Sequence, residues 1–493
     1  MRQLAAFDSL MVYGESGRTP MHVSPFFIYD QSTAPNGLVR FKDILKTFQD
    51  RLPLAPVLRQ RLMRVPLDLD EPYWVDAVDF DLEHHIRHLA LPKPGDRRQL
   101  SILIARIHAY PMDLNRPPWD AFVIEGLDNV DGVPPGSFAM LLRIHHAAID
   151  GHSGHAILQV IHDLEAISTR QIPADDWVAR PEPSRRDLLR RAYVNLLTKP
   201  RKLLKVANDV FPAVKRVREL KRQHPDEHRS VPQTRFGGRL SPHRVVLLVT
   251  LDMGGLRSAK YAVPGATVND AVVTIVAGAM RRYLLAKDHL PEQSMTTVMP
   301  INIRTEADRN APGNVVSITT LDMHSDIIDP LQRLRAIHES AIYSKAYHNA
   351  VGARIMSDVA ESIPAGIMSA GARAAASAGV MKIPANTIVT NVPGPQVPLY
   401  LAGAKVIEFH AVGILLDGLG LFHAVNSYCG NISFTVLADR KMLPDPAFYE
   451  ECLRASYAEL VQAVAVATAK ASPPVTAAKT TVAAAKRRPR RKS

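Results

Sequence analysis

Cysteine is almost absent: Cys429 and Cys452 are the only two in 493 residues. Two thiols cannot build a disulfide framework, and neither sits in a Cys-x-x-Cys pair or beside histidines at zinc-ligand spacing. A disulfide-stapled secreted scaffold and a structural zinc centre are therefore excluded, and a reducing, cytoplasmic setting fits. Long apolar runs are missing too, since no stretch approaches the roughly eighteen residues that a membrane span needs. The opening stretch MRQLAAFDSLMVYGES puts Asp8 where the apolar part of an export signal would lie, so no such signal is expected. No internal repeat is visible.

Acidic residues are also short, 48 against 60 Lys and Arg, giving a net charge of +12. The excess is local. Arg180 to Arg229 contains fifteen basic and six acidic residues, and Lys470 to Lys492 contains eight basic and none acidic, which leaves a mildly acidic body of net charge −5. Such basic attachments favour polyanionic surfaces, and plain solvation of charge is the simpler alternative. The body carries no nucleic-acid recognition module, so an anionic lipid surface is the expected partner and nucleic acid is not.

What is present is core material, 46% hydrophobic residues in a chain long enough for two domains of around two hundred residues each. Strand-like runs such as Ser24 to Tyr29 alternate with helical ones at Phe41 to Arg51 and Ser101 to Tyr110, an α/β layout. The histidine-rich Glu83 to His88 lacks ligand partners at metal spacing and reads as a polar surface turn. Amphipathic basic stretches follow: Leu188, Leu189, Ala192 and Leu196 opposite Arg190 and Arg191, then Leu203 to Val214. Both suit either packing between domains or a lipid interface. We expect residues 1–180 as a first domain, 181–239 as a basic helical linker, 240–465 as a second domain and 466–493 as a disordered tail.

The stretch Ser137 to Gly151, SFAMLLRIHHAAIDG, runs an apolar strand into two adjacent histidines. Histidine at the edge of a core can exchange protons near neutral pH. A helix capped by Ser153 follows, with Ile157, Leu158 and Ile161 on its apolar side. Further on, Thr267 to Asp270 has the spacing of a capping box, so Asp270 has an ordinary reading as a helix start. The sequence GHSGH misses the Gly-x-Ser-x-Gly elbow by one position, which argues against a serine acyl-enzyme.

The residues HHAAIDG fit the HHxxxDG signature of CoA-dependent acyltransferases and condensation domains. Asn115 to Trp119 (NRPPW, with Pro118 where leucine is usual), Asn269-Asp270, Pro300 to Arg304 (PINIR) and Asn391 to Pro395 (NVPGP) follow in order. From about residue 4 to about residue 460 the chain resembles the bacterial wax ester synthase/diacylglycerol acyltransferase family. That resemblance implies two facing chloramphenicol-acetyltransferase-like domains. It also implies transfer of a fatty acyl group from acyl-CoA, as substrate and with no cofactor, to diacylglycerol or a long-chain alcohol at a membrane or lipid-inclusion surface; the alternatives are a related CoA acyltransferase acting on another hydroxyl acceptor and a non-catalytic lipid-inclusion or membrane-surface protein that keeps the fold. A homodimer is a compatible assembly. The resemblance assigns His146 as general base, His145 as its strand-end neighbour, and Asp150 and Gly151 to the loop that shapes the site. Backbone amides near Gly151 are the candidate oxyanion donors. Supporting positions are Trp119, Asn269, Asp270, Arg304, Asn391, Gly394 and Pro395.

The resemblance also implies that Asp150 is held by Arg304 from beyond the linker, a geometry that suits the two-pronged guanidinium. For a buried pair, each single alanine substitution should cost about 3–5 kcal/mol, and the double substitution clearly less than their sum. Chemical denaturation of the four proteins checks it; strictly additive losses would show that the two side chains do not meet.

Overall fold

The computed structural model describes residues 1–148, 153–197, 231–302, 316–351, 363, 365–378 and 385–471. Strand β7, Phe138–His145, is buried at every position because both faces of its sheet are covered. Phe138, Met140, Leu142 and Ile144 enter one core with Ile44 and Phe48 of the helix Phe41–Arg51 and Ile157 and Ile161 of the helix Ser153–Ile161. Ala139 and Leu141, on the opposite face, enter a second core. Double-sided burial explains why this strand reads as a continuous apolar run and not as an alternation.

Two six-stranded mixed sheets organise the chain. The first has the order β12-β13-β2-β7-β6-β5, with β2 His22–Asp30, β5 Ile86–Ala90, β6 Trp119–Glu125, β12 Tyr400–Leu401 and β13 Ala404–Val412. The second has the order β10-β9-β11-β14-β15-β8, with β8 Arg244–Asp252, β9 Thr296–Asn302, β10 Val316–Asp322, β11 Thr387–Pro393, β14 Leu421–Tyr428 and β15 Asn431–Asp439. A small sheet, β1-β4-β3, joins Arg2–Gln3, Tyr73–Asp76 and Gln60–Met63. The expected mixed α/β architecture is what forms.

The division at residue 240 needs correction. Strands β12 and β13, from the stretch expected to be wholly second-domain, complete the first sheet, with β13 antiparallel to β2 from Lys405↔Asp30 to Val412↔Ser24. The chain leaves the second sheet at the end of β11, crosses to the first for β12 and β13, and returns for β14. Phe236, on the linker side of the expected boundary, is fully buried in the second core. Edge pairing across units is a long-range contact that local hydrophobic pattern cannot announce.

Between the sheets lies a shared core to which both contribute: Phe26, Ile28, Phe122 and Leu141 from one, and Val246, Leu248, Phe422 and Leu437 from the other. The helix Arg97–His108 adds Leu100 and Ile104 to it. That helix begins where the Asp96 carboxylate accepts the Gln99 N–H at 2.7 Å. Arg97 then grips Glu408 of β13 through two bonds of 2.9 and 2.7 Å. The outer face of the second sheet is covered by the helix Val268–Ala286, in turn enclosed by helices Met253–Ala262, Pro330–Val351 and Pro446–Ala471.

One local expectation is also corrected, and one left open is narrowed. The Glu83 to His88 stretch is no surface turn: Leu82–His85 forms one helical turn feeding β5, and buried His85 donates from Nδ1 to the Trp119 carbonyl at 2.7 Å. Of the apolar stripe read in the helix over 185–197, Leu188 and Ala192 pack against Val65 and Tyr73 while Leu189 and Leu196 are exposed. The second amphipathic stretch and the tail beyond residue 471 lie outside the described residues.

Neutral histidines tie these layers together. His162 donates from Nδ1 to Leu158 O and bonds the Tyr29 hydroxyl, both at 2.8 Å. His108 joins Ser24 to Gly413, and His423 joins Thr387 to Tyr449. Burial pushes His162 down to about 4, and His108 and His423 down to about 3. Below the ordinary histidine value near 6.5, the unfolded chain takes up protons that these folded groups refuse, so stability must fall as pH drops from 6.5 toward 4. The expected slope is about 1.4 kcal/mol per pH unit for each such group. Melting temperatures measured from pH 7 to pH 5 check this, and a flat profile would refute it.

Candidate active site

The two histidines are placed by backbone bonds from segments remote in sequence. The His145 N–H donates to Pro118 O at 2.9 Å, so the NRPPW loop fixes where β7 ends. The His146 N–H donates to Met21 O at 2.7 Å, just ahead of β2, whose His22 stands opposite His145 in the ladder. His145 is fully buried and its Nδ1 accepts the Ala147 N–H at 3.2 Å. An accepting Nδ1 puts the proton of His145 on Nε2. The chain then turns through the 3-10 segment His146–Ala148.

His146 itself is only partly buried, with Nδ1 enclosed and without a hydrogen bond to any described residue. Burial first, and then the adjacent His145, push it down to about 4, against a smaller opposing pull from its own carbonyl. An imidazole in that state is uncharged at neutral pH and free to accept a proton. The helix Ala6–Gly14 packs over this turn and against the helix Ala365–Ala378 from the second half of the chain.

Several polar groups here escaped the sequence reading. Glu15 Oε2 lies 3.7 Å from His145 Nε2. Arg143, two residues before His145, makes bonds of 2.8 and 2.6 Å to Asp120 and donates to the carbonyls of Ile107 and Tyr110. His22 Nε2 meets His108 O at 3.0 Å and its ring packs edge-on against His108. The signal available was a polar residue inside an otherwise apolar strand, as with His22 in β2 and Arg143 in β7.

The supporting positions separate into three groups. Asn269, Asp270, Pro300 and Asn391 come together around one cavity of about 250 Å³, joined by Ser344 and Lys345. Asp270 in that cavity does what its sequence context suggests, accepting the Thr267 N–H at 2.8 Å as a helix cap, and it also takes His338 Nδ1 at 2.9 Å. Trp119 lies elsewhere, in the first core, stacked between Phe48 and His85 with Nε1 donating to Leu58 O at 2.8 Å. Gly394 and Pro395 form the crossing from β11 to β12; a Cβ on Gly394 would stand 2.2 Å from Ser427 O, so that backbone approach needs glycine. Asp150, Gly151 and Arg304 lie outside the described residues.

Residues 4–272 match the wax ester synthase/diacylglycerol acyltransferase catalytic domain and 312–461 match the WS/DGAT C-terminal domain. The chain belongs to this acyltransferase family. A putative diacylglycerol O-acyltransferase of Mycobacterium tuberculosis is 32% identical over 479 residues, covering 96% of this chain and 99% of its own. The O-acyltransferase WSD of Acinetobacter baylyi is 28% identical, covering 90% and 93%. Among solved structures, the wax ester synthase/diacylglycerol acyltransferase of Marinobacter aquaeolei superposes with TM-score 0.65 at 24% identity, covering 94% and 100%. The starter condensation domain of rhizomide synthetase shares the fold at TM-score 0.53 and 14% identity, covering 95% and 94%. Like them, this acyltransferase is a two-domain mixed α/β enzyme.

Trp119 in this enzyme should act through packing. Trp119→Phe keeps an aromatic ring between Phe48 and His85 but strands the buried Leu58 carbonyl, at a cost of about 1–3 kcal/mol. Turnover per folded molecule should change little. Urea denaturation alongside activity checks both halves, and a large loss of turnover at unchanged stability would place the indole at the substrate.

Proposed function

We propose that this acyltransferase moves a long-chain fatty acyl group from acyl-CoA to diacylglycerol or a long-chain alcohol, with His146 as the general base. The observation that carries the reading is His146 itself: a partly exposed imidazole, uncharged at neutral pH, on a turn fixed by two remote backbone bonds. A neutral alcohol is a poor nucleophile. As its oxygen attacks the thioester carbonyl, the imidazole takes the hydroxyl proton and the carbon–oxygen bond forms. Collapse of the tetrahedral intermediate breaks the carbon–sulfur bond, and the imidazolium returns its proton to the departing thiolate. Ester and free CoA are the products. A positioned base of this kind contributes about 10²–10⁴-fold. The acceptors follow from the names of the Mycobacterium and Marinobacter relatives.

Water-insoluble acceptors require a lipid surface, and the helix over 185–197 supports one. It displays Tyr193 at 64% and Leu197 at 61% exposure, with Leu189, Val194 and Leu196, among exposed Arg185, Arg186, Arg190 and Arg191. An apolar face rimmed by arginine suits an anionic interface, so peripheral attachment to a cytoplasmic membrane or lipid inclusion belongs to this reading. No described helix is long and apolar enough to cross a membrane.

His146→Ala should lower ester formation from palmitoyl-CoA with either acceptor by about 10²–10⁴-fold, leaving a slow residual rate and a melting temperature near wild type, because little buried volume is removed. His145→Ala should be less damaging to chemistry. In wild type, kcat/KM per folded molecule should hold below the usual histidine range, down to the pH at which the acid loss of stability described above begins to unfold the enzyme. Near-normal turnover by the His146 variant would end the general-base assignment.

A further inference from the structure

Glu15 stands at the end of the helix Ala6–Gly14 with its side chain 11% exposed, and its two carboxylate oxygens face different partners. Oε1 accepts the Met21 N–H at 3.1 Å. Oε2 lies 3.7 Å from His145 Nε2, beyond hydrogen-bond length; Nε2 carries the proton because Nδ1 accepts the Ala147 N–H, is buried without a hydrogen bond to a described residue, and has this carboxylate as its nearby anion. Each partner leads to one flank of His146. Met21 is the residue whose carbonyl takes the His146 N–H, and Ala147 is the next residue along the turn. The segment between Glu15 and Met21 is closed on itself by the Ser16↔Thr19 bridge and a 2.7 Å bond between the two hydroxyls, so it transmits position and does not absorb it.

We infer that Glu15 is a positioning residue for acyl transfer: its carboxylate bonds Met21, the residue that takes the His146 N–H, and its charge beside His145 Nε2–H favours the tautomer whose Nδ1 accepts the Ala147 N–H. This inference rests on the reading of His146 as the base. A carboxylate behind an imidazole is a recurrent way to set tautomer and ring orientation, and loss of such an orienting group lowers activity even where the reacting group remains. Here the carboxylate acts on the neighbour of the base and on the base's own peptide, and so sets where the imidazole stands.

Glu15→Gln is the informative substitution, because its amide oxygen can still accept the Met21 N–H while its NH2 group opposes the His145 Nε2–H. The side-chain volume is kept and one interaction is reversed. We expect Glu15→Gln to fold with a melting temperature close to wild type, to leave KM for palmitoyl-CoA within about twofold, and to lower kcat on the order of 10- to 100-fold. Combined with His146→Ala, it should lower the residual rate no further, since positioning a base that is absent has no effect. Three results overturn the inference. Wild-type kcat in Glu15→Gln, with losses confined to the stability of Glu15→Ala, would make Glu15 a loop cap only. Equal factors in the presence and absence of His146 would show that it acts elsewhere. Undiminished turnover by His146→Ala alone would remove the base reading and this inference with it, whereas a slowed His146→Ala beside a normal Glu15→Gln removes the inference alone.

Discussion

The end of β7 is held by backbone hydrogen bonds from segments remote in sequence, and the site depends on that constraint. A strand buried on both faces cannot slide, because a one-residue slip would exchange Met140 and Leu142 with Leu141 and Arg143 between two different cores. Its last amide is taken by Pro118 and the next by Met21, so the place where the strand stops and His146 turns out is set by β6 and by the approach to β2. Buried imidazoles near it are kept uncharged, and the polar Arg143 is neutralised by Asp120 at the same depth. The chemistry proposed needs that neutral state, and the decline of stability in acid follows from the same burial.

The second constraint is the exchange of β12 and β13 into the first sheet. Because the chain passes from β11 to β13 and back to β14, the halves cannot separate without breaking a strand pair, and Arg97–Glu408 and His108–Gly413 close the seam from the helix side. Gly394 permits the crossing where its backbone comes against the Ser427 carbonyl. A motif residue of the kind the family resemblance assigns to the site thus has a sufficient physical reason in the connection it makes. Asp270 is similar: its carboxylate is occupied by Thr267 and His338, while its neighbour Asn269 lines the cavity with Asn391.

The sequence by itself determined the α/β class, the apolar strand that ends in the histidine pair, the capping box at Thr267 and the family, because each rests on local pattern or on motifs in order. It did not determine which sheet receives β13, since pairing between distant edges leaves no local trace. Nor did it single out Glu15, an acidic residue in a polar stretch whose meaning appears only when Met21 and His145 are brought beside it. The stripe on the helix over 185–197 was legible as amphipathic, but which apolar residues pack and which face outward was decided by the small neighbouring sheet, where Val65 and Tyr73 leave room for Leu188 and Ala192 only. Periodicity records that a face is apolar; tertiary structure decides what covers it, because burial is a property of two surfaces and the sequence of one element describes one of them.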